Sequence, residues 1–251
     1  MTTKTITLIT GANRGMGLEI AKELGEKGQT VIIGSRKLSN GQDVAKKLKG
    51  QGVQADAVQL DITDTNSIEQ AVTEIADKYG YLSILINNAG ASFDNFQAPS
   101  ELDLTAMRKE FDLNVFGTVN VTQHFIPLLK RSQQAKIINI STGLASMDDA
   151  LNPDSLAYNF SSMGYQASKA ALNMFTIQLA KEFQKNELPI TVNSIDPGWI
   201  ATEFGGTSAE SSKSNGAQPV EVGVSRTVEL ATDPDNDVTA TFSNINGKVN
   251  W

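Results

Sequence analysis

The chain has 251 residues, 40% of them hydrophobic and 20% charged, enough to bury a large core. Its 21 Lys and Arg against 28 Asp and Glu leave a formal charge of −7, a poor match for nucleic-acid phosphates. The absence of cysteine excludes disulfides, thiolate nucleophiles and cysteine-bound metal, and the single histidine, His124, excludes a multi-histidine site, so no metal is expected.

The elements alternate from end to end. The first residues show no basic segment leading into a long apolar stretch, and no run approaches the roughly 18 apolar residues of a spanning helix, so a cytoplasmic protein without a membrane partner is expected. Residues 5–10 (TITLIT) predict a strand, followed by a glycine-rich turn and a helix over 16–27 with Leu18, Ile20, Ala21 and Leu24 at helical spacing. Residues 30–35 (TVIIGS) predict a second strand, Val44, Ala45 and Leu48 mark a helix, and residues 53–60 predict a third strand. A helix over 67–79 places Ile68, Ala71, Val72 and Ile75 on one face. Residues 82–86 (LSILI) and 136–140 (KIINI) read as buried strands on either side of a long amphipathic helix over 105–131. A helix from about 165 to 184 and a strand over 190–195 (ITVNSI) complete the pattern.

Apolar strands alternating with amphipathic helices indicate parallel strands covered on both faces. The expected class is α/β, a Rossmann-type doubly wound parallel sheet of about seven strands with helices on both faces. No linker divides it, so residues 1–251 read as one domain. Two stretches break the alternation, 144–163 and 199–219. Both follow strands at the carboxyl edge, where open α/β sheets bind ligands, and are expected to act as lids.

Directly after the first strand comes Thr10-Gly11-Ala12-Asn13-Arg14-Gly15-Met16-Gly17, which runs into a helix. Glycine lets the backbone turn sharply against a pyrophosphate, and the helix start offers free N–H groups and a positive dipole end. Such turns also simply join strands to helices; the strand before, the helix after and the first place in an alternating chain favour dinucleotide binding.

The spacing Gly-x-x-x-Gly-x-Gly resembles the fingerprint of the short-chain dehydrogenase/reductase family, and the resemblance covers almost the whole chain. Asn87-Asn88-Ala89-Gly90 resembles the family motif after strand four, and Pro197-Gly198 with Thr202 the motif after strand six. Asn114, Ser141, Tyr165 and Lys169 fall where the family's catalytic tetrad belongs. The resemblance implies cofactor contacts from Gly11, Asn13, Arg14, Gly15, Met16 and Gly17, from Asn88, Ala89 and Gly90, and from Pro197, Gly198, Ile200 and Thr202. Asp61-Ile62 resembles an adenine-contacting pair, although Asp61 alone equally fits a cap for the next helix.

An acidic residue ending the second strand would hold the ribose 2′-hydroxyl of NAD, and this chain has Gly34-Ser35-Arg36 there. Arg36 can pair with a 2′-phosphate, Ser35 can add a hydrogen bond, and Arg14 in the turn resembles the family's NADP signature. Two solvated arginines are the plain alternative; the missing acid favours NADP(H).

Tyr165 and Lys169 stand four apart on a predicted helix and share a face. A free tyrosine titrates near ~10, and a fixed ammonium beside it would lower that value, making Tyr165 the proton donor for carbonyl reduction and the base for the reverse. By the resemblance, Lys169 also holds the nicotinamide ribose hydroxyls. Ser141 can donate to the substrate oxygen as charge develops there. Asn114 lies mid-helix, where asparagine is a poor former; in the family this position kinks the helix and holds a water in a proton relay. His124 is away from every motif and is expected to be partly buried or at an interface. The 232–237 stretch (TDPDND) reads as a solvated loop, since calcium needs a fuller ligand set.

Tyr165 follows Ser141 by 24 positions, more than in most relatives. The extra stretch, 147–163, resembles in this respect the carbonyl reductase and menthone reductase branches, whose longer insertion covers the usual subunit interface. Most family members pair through the helices holding Asn114 and Tyr165; that implies a homo-oligomer, dimer or tetramer, and the insertion leaves the state open. Trp251 could pack at an interface or close the last strand. Pocket candidates Leu144, Phe93, Tyr158, Phe160, Trp199 and Phe204 suggest a small neutral carbonyl or alcohol substrate.

The expected function is reversible NADPH-dependent reduction of a ketone or aldehyde. A catalytically idle dinucleotide-sensing or scaffold protein is the alternative from another class, and the complete tetrad argues against it. A ketoacyl-thioester reductase would dock an acidic carrier on a basic patch, which this acidic chain does not show. A serine hydrolase lacks its Gly-x-Ser-x-Gly elbow.

Overall fold

The structure, a computed structural model, describes residues 4–234 and 237–251. Six strands carry the alternation: β1 (Ile6–Thr10), β2 (Thr30–Ser35), β3 (Ala55–Gln59), β4 (Ile84–Asn87), β5 (Ala135–Ile140) and β6 (Ile190–Ile195). β1, β2, β4 and β5 are buried at every position, which is why they read as continuous apolar runs. The helices are α1 (Gly15–Glu26), α2 (Leu38–Gly50), α3 (Thr65–Tyr79), α4 (Leu104–Phe111), α5 (Thr118–Leu129), α6 (Met147–Leu151), α7 (Met163–Lys185), α8 (Ala209–Ser214) and α9 (Val220–Thr232).

The sheet runs β3-β2-β1-β4-β5-β6-β7-β8, parallel as far as β7 (Phe242–Asn244), with β8 (Gly247–Lys248) turning back antiparallel. The sheet has eight strands where about seven were expected, because the last two are too short to show a period. Trp251 stacks on Phe242 with ring centroids 5.5 Å apart, closing this edge, and its carbonyl accepts the N–H of Met147 at the start of α6. The winding reverses between β1 and β4, and the glycine-rich turn sits at that switch point. One core on each face holds the layers together: Phe125, Phe183, Ile68 and Leu8 on one, Ile20, Leu24, Ile33 and Val224 on the other.

The expected helix over 105–131 is interrupted. Residues Asp112–Gly117 form a π-helical turn between α4 and α5, a widening that turns Asn114 inward, where it is fully buried. Gly117 closes this turn against Ile62, where an added Cβ would stand 3.0 Å from the Ile62 carbonyl oxygen.

The stretch after β5 contains α6 and a loop, and the stretch after β6 contains a 3₁₀ turn (Phe204–Gly206) and α8. The second is strapped at its base by the bridge between Ile200 and Gln218, with the Ile200 side chain seated where Gly223 of α9 has none. His124 is half-buried, its Nδ1 2.8 Å from the Asn120 carbonyl oxygen, remote from the glycine turn. Of the acidic 232–237 stretch, Asp235 and Asn236 lie outside the described residues. Among the described residues no helix is long and apolar enough to cross a membrane.

Gly25 shows how tightly α1 meets the sheet, since a Cβ there would stand 2.1 Å from Val53 Cγ1. Gly25→Ala is expected to lower unfolding stability by about 1–3 kcal/mol in urea titrations. Val53→Ala in the same chain should recover part of that loss rather than add to it.

Candidate functional site

The glycine turn is built to meet an anion. Gly11 and Gly15 take φ of 64° and 56°, a region that side chains disfavour. Gly17 lets Asn88 approach, since a Cβ there would stand 2.6 Å from Asn88 Nδ2. That amide donates to the Thr10 carbonyl at 2.9 Å, and Thr10 Oγ1 accepts the N–H groups of Asn88 and Ala89, so the ends of β1 and β4 are laced together. No side chain caps α1 and no acid sits in its first turn, so its N–H groups and positive dipole end remain available to a phosphate. Thr202, in the stretch after β6, stands over Gly15, its Cγ2 3.7 Å from where a Cβ would lie. Pro197 is half-buried, and Gly198 is exposed with φ of 75°.

At the β2 edge Ser35 is buried, and Arg14 and Arg36 are exposed without an ion-pair partner among the described residues. Asp61 is not the helix cap: its Oδ1 accepts from the N–H and hydroxyl of Thr63, while Asp64 caps α3 by accepting the Asn66 N–H. Ile62 is buried, with its side chain and its carbonyl oxygen both against Gly117. Asn13 is half-buried, and Met16 packs on the core. These features fit a dinucleotide: an uncapped helix start for its pyrophosphate, and two free guanidinium groups with no competing carboxylate for a 2′-phosphate.

The four tetrad positions converge on the carboxyl edge next to this turn. Ser141 directly follows β5, and its buried hydroxyl has no hydrogen-bond partner among the described residues. Lys169 is 4% exposed, and its Nζ donates to the Ile140 carbonyl at 2.7 Å. Asn114 donates to the Ala91 carbonyl and to Ser168 Oγ and accepts the Ala91 N–H, clasping the loop after β4 to α7. Gly90 makes room for both, since a Cβ there would stand 3.1 Å from Asn114 Oδ1 and 3.3 Å from Lys169 Nζ. Lys169 Nζ lies 5.9 Å from the Tyr165 ring centroid.

The electrostatics correct one expectation. Lys169 does not pull the Tyr165 hydroxyl down; burial, then the negative charges of Asp196 and Glu110, push it up. The lysine ammonium is directed at the Ile140 carbonyl instead, and burial brings its own pKa down to about 8. Of the expected pocket residues, Phe204 reaches Tyr165 (centroids 5.5 Å apart), whereas Phe160 packs edge-on against Phe96 and Tyr158 is more than half exposed.

Two fully buried carboxylates that the motifs do not mark hold the helix bearing Tyr165 and Lys169. Asp94 accepts from Ser162 Oγ at 2.7 Å and from the N–H groups of Gly164 and Tyr165, serving the first turn of α7 from the loop after β4. Glu110 of α4 accepts the N–H groups of Phe93 and Asp94 through Oε1, while its Oε2 faces Gly164, where a Cβ would stand 2.0 Å away. Neither residue has a spacing signal, because each serves backbone groups remote in sequence.

A profile of the short chain dehydrogenase family matches residues 5–213. The chain is 32% identical over 230 residues to the short-chain dehydrogenase/reductase eupG of Phoma sp, covering 84% of this chain and 82% of that protein. It is 30% identical over 205 residues to the 3-oxoacyl-(acyl-carrier-protein) reductase FabG of Staphylococcus aureus, covering 78% and 75%. A solved structure of an actinorhodin polyketide ketoreductase variant with NADPH superimposes with a TM-score of 0.78 at 25% identity, over 96% of this chain and 95% of that one. The protein therefore belongs to the short-chain dehydrogenase/reductase family and is a short-chain oxidoreductase built on a nicotinamide-dinucleotide fold.

Burial pushes the Glu110 carboxyl above its usual value, the Asp94 charge adding to this and the Phe93 and Asp94 N–H groups opposing it. A carboxyl raised in the folded state contributes stability below its unfolded value that is lost as pH rises through the folded one. Glu110→Gln is therefore expected to gain stability relative to the parent as pH rises above the usual carboxylate range in urea titrations. A difference independent of pH would contradict the assignment.

Proposed function

We propose that this protein is an NADPH-dependent reductase of ketones or aldehydes, acting reversibly as an alcohol dehydrogenase, with residues 1–251 forming one dinucleotide-binding and catalytic domain. The observation that carries the reading is the buried, unpartnered Ser141 hydroxyl on the edge where Tyr165 and Lys169 converge, beside an uncapped helix start. When bound, the cofactor supplies the hydride. Ser141 Oγ donates to the substrate oxygen, and the Tyr165 hydroxyl gives that oxygen its proton. A phenol held above its ordinary pKa stays protonated at neutral pH, which suits a donor in the reductive direction. Lys169 supplies the fixed positive charge of the site, and Gly11, Gly15, Gly17, Asn88, Thr202 and the Ile200 backbone shape the cofactor cradle.

Preference for NADPH draws on the free Arg14 and Arg36 and on the missing acid at the end of β2. Exposed Leu104, Phe116 and Met174 on the α4–α5 and α7 helices support pairing of copies into a homo-oligomer through those helices. A second reading, reduction of a 3-oxoacyl thioester, draws on the similarity to the Staphylococcus aureus reductase.

The test is NADPH and NADH oxidation against neutral ketones, aldehydes and an acetoacetyl thioester. NADPH-dependent turnover of the neutral carbonyls is expected, falling by ~10²–10⁴-fold in Tyr165→Phe. Arg36→Ala should raise KM for NADPH by about tenfold and leave KM for NADH nearly unchanged. Preference for NADH would overturn the cofactor assignment, and turnover of the thioester alone would favour the second reading.

A further inference from the structure

We infer that Asp196 makes this site select carbonyl substrates that carry a positive charge over neutral or anionic ones. The inference rests on the reductase reading above. Asp196 directly follows β6, whose last residue Ile195 pairs with Ile140 and accepts the Ser141 N–H at 2.7 Å, so the carboxylate leaves the sheet beside Ser141. Its Oδ2 stands 2.9 Å from where a Cβ on Gly143 would lie. No side chain fits at position 143 without displacing it, so the glycine after Ser141 and the carboxylate occupy one place between them. From there the charge of Asp196 acts on the buried Tyr165 hydroxyl more strongly than that of Glu110.

Neutral donors alone answer this half-buried carboxylate. Oδ1 accepts the Gly198 N–H at 3.0 Å and Oδ2 the Asn244 side-chain amide at 3.3 Å, which leaves lone pairs on both oxygens. Among the described residues no Lys, Arg or His pairs with it. Lys169 is committed to the Ile140 carbonyl, and Arg14 and Arg36 belong to the glycine turn and the end of β2. Two aromatic side chains belong to the stretch that follows Asp196: Phe204 lies against Tyr165, and Trp199 is more than half exposed. A carboxylate with no cationic partner is the chemistry that recognises an ammonium group, and Phe204 against Tyr165 offers that group an aromatic face. The same carboxylate repels an acidic substrate.

A brace for the Pro197–Gly198 turn would need only an oxygen acceptor, which an amide also provides, so charge separates the two roles. The experiment measures kcat/KM with NADPH at low salt for three aryl ketones, identical except for a tail ending in methyl, trimethylammonium or carboxylate. The cation is expected to exceed the neutral ketone by about tenfold and the anion to fall below it by a similar factor, both differences shrinking as salt is added. Asp196→Asn should bring the cation-to-neutral ratio close to one, whereas Glu203→Gln, which removes an exposed carboxylate in the same stretch after β6, should leave the ratio as it was. A parent enzyme that treats the cation no better than the neutral ketone overturns the inference, as does a ratio that survives Asp196→Asn. Should Asp196→Asn fail to fold, the parent's substrate order and its salt dependence decide the matter. If none of the three ketones is reduced, or reduction persists in Tyr165→Phe, the reductase reading itself has failed.

Discussion

An ammonium group held out of water with one carbonyl to receive it is the constraint on which the rest of the site depends. Lys169 is almost fully buried on α7, and its hydrogen bond to Ile140 locks that helix to the end of β5. Burying a cation is costly unless neighbouring dipoles or charges answer it, and here burial draws its pKa toward neutrality. The surroundings are arranged to permit the burial. Gly90 has no side chain to fill the space before Nζ, and the π turn brings Asn114 Oδ1 to the other side of the same glycine. The fixed positive charge therefore stands where the carboxyl ends of β4 and β5 meet the glycine turn.

Three carboxylates act on the helix that carries this cation and on the phenol beside it. Asp94 steadies the first turn of α7 with three hydrogen bonds, and Glu110 holds the loop that carries Asp94. Asp196 and Glu110 together bias Tyr165 toward its protonated form. A site with one buried cation, a protonated phenol and an unpartnered serine hydroxyl is prepared to place positive and hydrogen-bonding character on a developing alkoxide. The stretches after β5 and β6 are tied differently, one through Met147 to Trp251 and the other by Ile200 to Gln218 and α9.

The six long parallel strands and their helices were legible because burial on both faces leaves an unmistakable apolar run, and the glycine turn because its spacing marks a backbone requirement. Periodicity alone carried the helix straight through the π turn at Leu113 and Val121; Asn114, a poor helix former at a position where the family resemblance implies a kink, was the one sign of it. β7 and β8 were invisible at three and two residues. Asp94, Glu110 and Asp196 had no sequence signal either: Asp94 and Glu110 act on groups 16 to 71 positions away, and Asp196 meets Gly198 and Asn244 at no recurring spacing. The Tyr165–Lys169 spacing identified a shared helix face but said nothing about where the ammonium points; its direction toward Ile140 is a tertiary fact, as are the burial and the Asp196 and Glu110 charges that raise the phenol.

The central claim is that Lys169 is a buried cation answered by one carbonyl. It is tested most directly by NMR titration of protein labelled at the lysine side-chain carbon and nitrogen, with Lys169→Met to assign the signal. One lysine is expected to titrate near pH 8 and to be missing from the variant. A set of lysines that all titrate near their ordinary value of ~10.4, with none lost at low pH in Lys169→Met, would contradict it.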